Sequence, residues 1–397
     1  MAVPRRATAT NLTVALVTTS AGAFPVFLTA ALIVQISSDL SFDLERLGTA
    51  VGVYFAAGAL ASAPMGRLCE RLGAAAALRL GGVISATCLT LIALAPSFAF
   101  LTACLFLGGL CNALCQPAAN LYVTRTIPAS RRGLALALKQ SAIPAATLVG
   151  GLAVPLVALT IGWRWAFVIC AAVAAATAAS VPAVAAGAIP TKRGPGGRAP
   201  RSAMLLLAAT VGLGAAGAGC LASFCVAGAT HIGMADASAG WLMAVGSLLA
   251  VIARIGLGHR ADRRQGGHLL AVSILLSVGG VAAVALRSSD ALWFALAVPV
   301  VFGTGWGWPG LFNLSVVTHN PAAPGAATGF TQTGTYIGAA LGPTAFGFIA
   351  ERYSWTAAWS LVPVFFVLAA LAAVAARTDI RRSRRQWAES ELSNAES

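Results

Sequence analysis

The sequence predicts an all-α membrane protein in which twelve transmembrane helices form two pseudo-symmetric six-helix bundles. Composition, the length and spacing of the apolar runs, and an internal repeat predict it. Of 397 residues, 58% are hydrophobic and 10% charged, whereas an ordinary soluble domain carries about 25% charged residues. A chain this apolar belongs in a bilayer. Hydrocarbon roughly 30 Å thick takes about 20 residues of helix to cross, and apolar runs of that length recur from one end to the other. They lack the period-two alternation of a membrane barrel, so helices are left as the way to satisfy the backbone in lipid.

The runs follow one another with short polar punctuation. The first, 11–35, comes after Arg5 and Arg6; with no evident small-residue cleavage site it reads as a retained span rather than a removed signal. Runs 44–66 and 75–95 flank Arg67, Arg71 and Arg79, and runs 98–126 and 131–160 meet at Arg125, Arg131 and Arg132. Run 163–187 completes a first half, residues 1–188. The stretch IPTKRGPGGRAPRS, 189–202, is a Pro/Gly/Arg-rich linker. The second half, 203–378, holds runs 203–231, 238–259, 267–287, 291–318, 324–352 and 354–377, and 379–397 is a basic, then acidic tail. With the first end in the cytoplasm, 21 of the 26 basic residues fall on that side, which is the positive-inside pattern and puts both termini there. Location thus accounts for the net charge of +14 without nucleic acid. The eight cysteines, without a CxxC pair, read as small packing residues.

Sliding the chain over itself by 192 residues superposes Gly66 on Gly258, Glu70 on Asp262, Arg71 on Arg263, Pro117 on Pro309, Gln140 on Gln332 and Trp163 on Trp355. Six unusual matches in one ungapped register indicate a duplication. Six helices separate the copies, so the halves keep their orientation and relate by an axis along the membrane normal.

The loop after the second run reads GRLCERLG, with Gly66, Glu70, Arg71 and Gly73, and the corresponding later loop reads GHRADRRQGG, with Gly258, Asp262 and Arg263. The paired motif in these two loops resembles that of the major facilitator superfamily, GxxxD(R/K)xG(R/K)(R/K), over essentially the whole chain. Glutamate replaces aspartate in the first copy, and Gln265 stands where a glycine is expected in the second. A carboxylate there can accept from the free amides at another helix's start, worth roughly 0.3 to 2 kcal/mol. Glu70 would serve the helix starting near Gly325 and Asp262 the one near Ser130. The resemblance implies that such latches hold the cytoplasmic side shut and break for inward opening. Arg254, four residues before Gly258, is expected at the same gate. Gly334, Gly338 and Gly342 bare one face of the eleventh run for close helix contact, and Pro343 permits a bend. LKQSAIP followed by GWRWAF also resembles a bacterial subgroup that includes cyanate-permease-like proteins.

None of the twelve carboxylates lies deep in a run. Of the two lysines, Lys192 is in the linker and Lys139 is inside the fifth run. An ionisable group within a membrane is a functional candidate; the alternative is a lysine snorkelling to the headgroups. Asn112, Gln116 and Asn120 recur every four residues on the fourth run and form a polar stripe at about the depth of Lys139. With Gln140 they could orient an anion by charge-assisted bonds, or bond helix to helix. In the second half, Trp306, Trp308, Asn313, Gln332 and Tyr336 occupy the comparable region and would close over a ligand or pack. Thr331 is the repeat mate of Lys139, so the charge breaks the symmetry.

The function expected is secondary transport of a small organic or inorganic anion by alternating access. The alternatives are an efflux antiporter for drugs or metabolites and a membrane receptor or scaffold that keeps the fold. No nucleophile and base, cofactor motif or metal cluster points to an enzyme. The expected partners are a small-molecule solute, the lipid bilayer and, as one coupling option, a proton, with the chain a monomer. Abundant arginine and alanine with little lysine suggest a GC-rich bacterium and its cytoplasmic (inner) membrane.

Overall fold

The computed structural model describes residues 5–127, 135, 138–182, 199–262 and 266–396. The linker residues 189–198, Arg263 and the side chain of Asp262 lie outside the described residues, so the second latch is not seen. The helices are α1 (Arg5–Ala31), α2 (Ile33–Leu40), α3 (Leu44–Leu72), α4 (Ala74–Ala93), α5 (Phe98–Thr126), α6 (Ala142–Ala153), α7 (Trp163–Ser180) and α8 (Arg201–His231). There follow α9 (Asp236–Asp262), α10 (His268–Ala283), α11 (Ala291–Gly305), α12 (Pro309–His319), α13 (Pro324–Arg352) and α14 (Trp355–Glu396). Residues 138–140 and a π-helical turn at Val154–Ala158 extend α6 into the span Leu138–Ala158.

Among the described residues, eleven helices are long and apolar enough to cross a membrane, against the twelve expected. The difference is α13, which has the 29 residues of α3 but, rich in glycine and threonine, is not among those eleven. Helix α14 runs unbroken through residue 379 to Glu396. Neither glycine nor proline occurs after Pro363 to end it.

Caps fix the helix starts. Asp43, Ser97 and Asp290 accept from the backbone N–H of Arg46, Phe100 and Leu292 at 2.8, 3.3 and 2.7 Å. The turn from α3 to α4 passes through Gly73 at φ +81°, a conformation that favours glycine. In the second copy the turn falls on Gly266 and Gly267, at φ +89° and +80°, which explains how Gln265 can occupy the motif's glycine position.

The halves meet through two antiparallel helix pairs, α3 with α13 and the Leu138–Ala158 span with α9. A Cβ built on Gly48 would lie 2.5 Å from the Pro343 carbonyl oxygen, and one on Gly240 would lie 2.8 Å from that of Gly151. Gly48 and Gly240 are 192 apart, as are Gly151 and Pro343, so the two contacts are repeat mates and the duplication has become a two-fold relation. Thr147 and Ser247 share a hydrogen bond of 2.9 Å in one pair, and the Thr344 hydroxyl donates to the Gly48 carbonyl at 3.1 Å in the other. Gln35 to Asp236 (2.9 Å) and Arg352 to Glu45 (3.4 Å) add polar links at the same end.

At the opposite end, where Asn11 meets Tyr122 and Ser202 meets Asp379, the halves part. Gly66, Gly256, Gly325 and Gly329 have nothing within 4 Å of an added Cβ. Glu70 and Arg71 are exposed, and among the described residues Glu70 forms no ion pair. Among the described residues, the contacts between the halves thus lie toward the end away from the termini, and the expected Glu70 latch is not seen.

Within the second half, α13 lies against α8 through Gly334, Gly338 and Gly342, whose added Cβ atoms would fall 2.4, 1.8 and 2.5 Å from the carbonyl oxygens of Ala208, Gly212 and Ala216. Gly338→Val should cost more than about 3 kcal/mol and leave little monodisperse protein, whereas Gly329→Ala should stay within about 0.5 kcal/mol. Thermal unfolding in detergent separates them.

On the closed face Asp39 accepts from Trp163 at 3.1 Å and from Arg164. The hydrogen bonds from Arg164 and then Trp163 hold its carboxyl below the usual carboxylate range. A lowered folded pKa gives stability that is present at neutral pH and lost as pH falls through the folded value, below about pH 4. At 43% exposure for the carboxylate side chain, the pair is worth under about 1 kcal/mol. Asp39→Asn should lower stability by that amount at pH 7, with the deficit shrinking as the pH falls below about 4 in a pH series of melting curves.

Candidate functional site

The polar stripe of α5 exists because three amides at i, i+4 and i+8 share a helix face, and α5 lies beside α1 and α3 inside the first half. Asn112 is buried, Gln116 half-buried and Asn120 exposed one turn nearer the open end. The start of the Leu138–Ala158 span brings Lys139 to this stripe.

Lys139 is 1% exposed. Its Nζ donates to Gln116 Oε1 at 2.5 Å and lies 3.5 Å from Gln140 Oε1. Gln116 Nε2 in turn reaches Asn112 Oδ1 at 3.4 Å. The amine thus points inward, toward amide oxygens, and does not snorkel to the headgroups. Its neighbours are dipoles, which offset only part of the cost of taking a charge out of water. Among the described residues no carboxylate is buried.

Arg254 was expected at the gate, and the structure places it beside this cluster. It is 4% exposed, its Nε donates to the Trp306 carbonyl at 3.0 Å, and its Nη1 donates to the Gln140 carbonyl. The guanidinium carbon lies 5.7 Å from the centre of the Trp306 ring, a cation over an aromatic face. Trp306 also sits 5.9 Å from Phe27 of the first half. Gln140 therefore faces both cations, its side-chain oxygen toward Lys139 and its backbone oxygen toward Arg254. These are the two buried charged side chains among the described residues.

The residues expected from the second half divide. Tyr336 is buried, its ring 3.0 Å from a Cβ placed on Gly58. Asn313 is half-buried and Gln332 exposed, and neither is hydrogen-bonded to the Lys139 cluster. Thr331, mate of Lys139, bonds back to its own helix at Thr328 and Ala327. The amide stripe has no counterpart: the mates of Asn112, Gln116 and Asn120 are Thr304, Trp308 and Phe312. Trp308 donates to the Gly305 carbonyl at 2.8 Å and its ring fills the space beside Gly214, 2.4 Å from an added Cβ. Where the first half has a polar recess, the second half has a plug.

Arg254 was legible only through the repeat. Its mate at an offset of 192 is Ser62, so it breaks the symmetry as Lys139 does. Its position four residues before Gly258 made it read as a gate residue.

The geometry predicts an asymmetry in stability. Lys139→Met removes a buried charge and should leave the unfolding temperature unchanged or higher. Gln116→Leu strips the ammonium of its short partner and should cost about 1 to 3 kcal/mol. Differential scanning calorimetry or dye-monitored melting in detergent measures both; a large loss in Lys139→Met would make the lysine a structural element.

A family model described as Major Facilitator Superfamily matches residues 12–230 and 204–394. An uncharacterised MFS-type transporter of Mycobacterium tuberculosis is 26% identical over 367 residues, covering 82% of this chain and 78% of that protein. A chloramphenicol resistance protein of Streptomyces lividans is 28% identical over 329 residues, covering 80% and 83%. Among solved structures, a bacterial homologue of the human lysosomal transporter Spinster, in an inward-facing and occupied conformation, superposes with a TM-score of 0.70 over 97% of this chain and 98% of that one. At 16% identity that likeness is one of fold. The relatives named here lend no support to the cyanate-permease resemblance.

Proposed function

The chain belongs to the major facilitator superfamily and is a multi-pass membrane transporter, and from that premise we propose that its solute is a small organic or inorganic anion. The observation that carries this reading is Lys139, a buried ammonium met by amide oxygens of Gln116 and Gln140, with no buried carboxylate among the described residues. Amides can orient an anion, but they do not neutralise the lysine, whereas an anion would do both through charge-assisted bonds.

The two antiparallel seams support alternating access as the mode of transport. The halves rock about the contacts of α3 with α13 and of the Leu138–Ala158 span with α9, with the Lys139 cluster at the inner limit of the second seam. Closing the open end would bring Glu70 and Arg71 toward the start of α13, giving the motif its gating role, with Gly258, Asp262 and Arg263 as the paired copy. An empty carrier moves an uncompensated cation through low dielectric, and a bound anion removes much of that cost. Exchange of anions is therefore favoured over net flux. The location that suits this reading is a bacterial inner membrane with both termini cytoplasmic.

The chloramphenicol resistance protein of Streptomyces lividans favours a second reading, efflux of a drug-like molecule. The two separate on one variant. In proteoliposomes, Lys139→Gln should lower uptake or exchange of an anionic solute at least tenfold; transport equal to the unmodified protein would end the anion reading. Drug resistance in expressing cells that survives this substitution would favour efflux.

A further inference from the structure

We propose that Arg254 is the second cation of the same site, contributed across the seam by the other half, and that the pair selects a doubly charged anion over a singly charged one. The inference rests on the anion reading and deepens it by naming the class of solute.

Four observations support it. Arg254 and Lys139 are the two buried charged side chains among the described residues, and both converge on Gln140. Every acceptor they use is a neutral oxygen: the carbonyls of Gln140 and Trp306 and the amide oxygens of Gln116 and Gln140. A guanidinium has five N–H donors and these carbonyls take two of them, leaving the rest of the planar fork for a second acceptor group. Finally, both charges break the repeat at the same seam. The mate of Lys139 is Thr331 and the mate of Arg254 is Ser62; these neutral hydroxyls fall on the α3 and α13 pair. A merely structural need at the seams would apply to both, and the second seam meets it without charge.

Two positive charges held against amide dipoles are matched by two negative charges. A monoanion satisfies one and leaves the other as it is; a dianion with acceptor groups at both ends satisfies both. Its oxygens would take the places of Gln116 Oε1 on Lys139 and of the Gln140 carbonyl on Arg254. Because Arg254 comes from α9 and Lys139 from the first half, such a ligand also ties the halves together.

The test is binding to purified full-length protein in detergent, by calorimetry at constant ionic strength and pH 7.5. Malonate, succinate, sulfate and phosphate are compared with acetate, propionate, nitrate and chloride. The unmodified protein should bind at least one of the dianions ten times more tightly than its best monoanion. Arg254→Gln should bring that ratio to about twofold or less, with dianion affinity taking most of the loss. Arg254→Lys keeps the charge without the fork and should give an intermediate ratio; where Arg254→Gln does not fold, this variant decides. Equal binding of both classes by the unmodified protein, or an unchanged ratio in the variants, overturns the pairing and leaves the anion reading standing. If no anion in the panel binds, the anion reading fails and takes the pairing with it.

Discussion

Close backbone approach at two antiparallel seams governs the rest of this molecule. A membrane offers little hydrophobic drive for helix association, so contact depends on packing and on small residues that let backbones meet. Gly48, Gly52, Gly151 and Gly240 supply that contact, each with backbone or side-chain atoms nearer than 3 Å to an added Cβ. The register they set carries Thr147 to Ser247 and, two turns on, Gln140 to Arg254. A seam a few ångströms wider would leave the arginine without its carbonyl and separate the two cations.

The same seams set where the described residues of the two halves touch. Among the described residues, contacts run from Leu44 and Gly347 down to Gly58 and Tyr336 on one side, and from Gly240 down to Arg254 on the other. Beyond them the glycines of the motif region face open space. The cores themselves are well filled: Phe346 stacks on Phe224 with ring centres 4.3 Å apart and meets Trp359 edge-on at 4.8 Å.

Duplication gave the molecule its symmetry, and its buried cations among the described residues lie where that symmetry fails. Gly48 and Gly240 remained glycine in both copies because the seam has no room for anything else. Away from the seam contacts the copies diverged: Gln116 against Trp308, Lys139 against Thr331, Ser62 against Arg254. One recess became polar and charged, and the other was plugged by an indole packed beside Gly214.

The sequence by itself determined the class of fold, because apolar runs of bilayer length leave the backbone few alternatives, and it determined the duplication, because one ungapped register aligned six unusual residues. It also singled out Lys139 and the amides of α5, since a charge and a four-residue polar period stand out against so apolar a background. Helix α13 was legible as a span from its length, although it is rich in glycine and threonine. What only the tertiary structure decided is where side chains at helix depth meet. Sequence position could not tell an arginine eight residues from a helix end that reaches the headgroups from one that turns inward to a carbonyl of the opposite half, because that depends on the rotation of α9 about its axis. The meeting of α5 with the start of the Leu138–Ala158 span likewise brought Gln116, and through it Asn112, to Lys139 while leaving Asn120 a turn away. A helix fixes which residues share its face; only the packing of neighbouring helices fixes what that face meets.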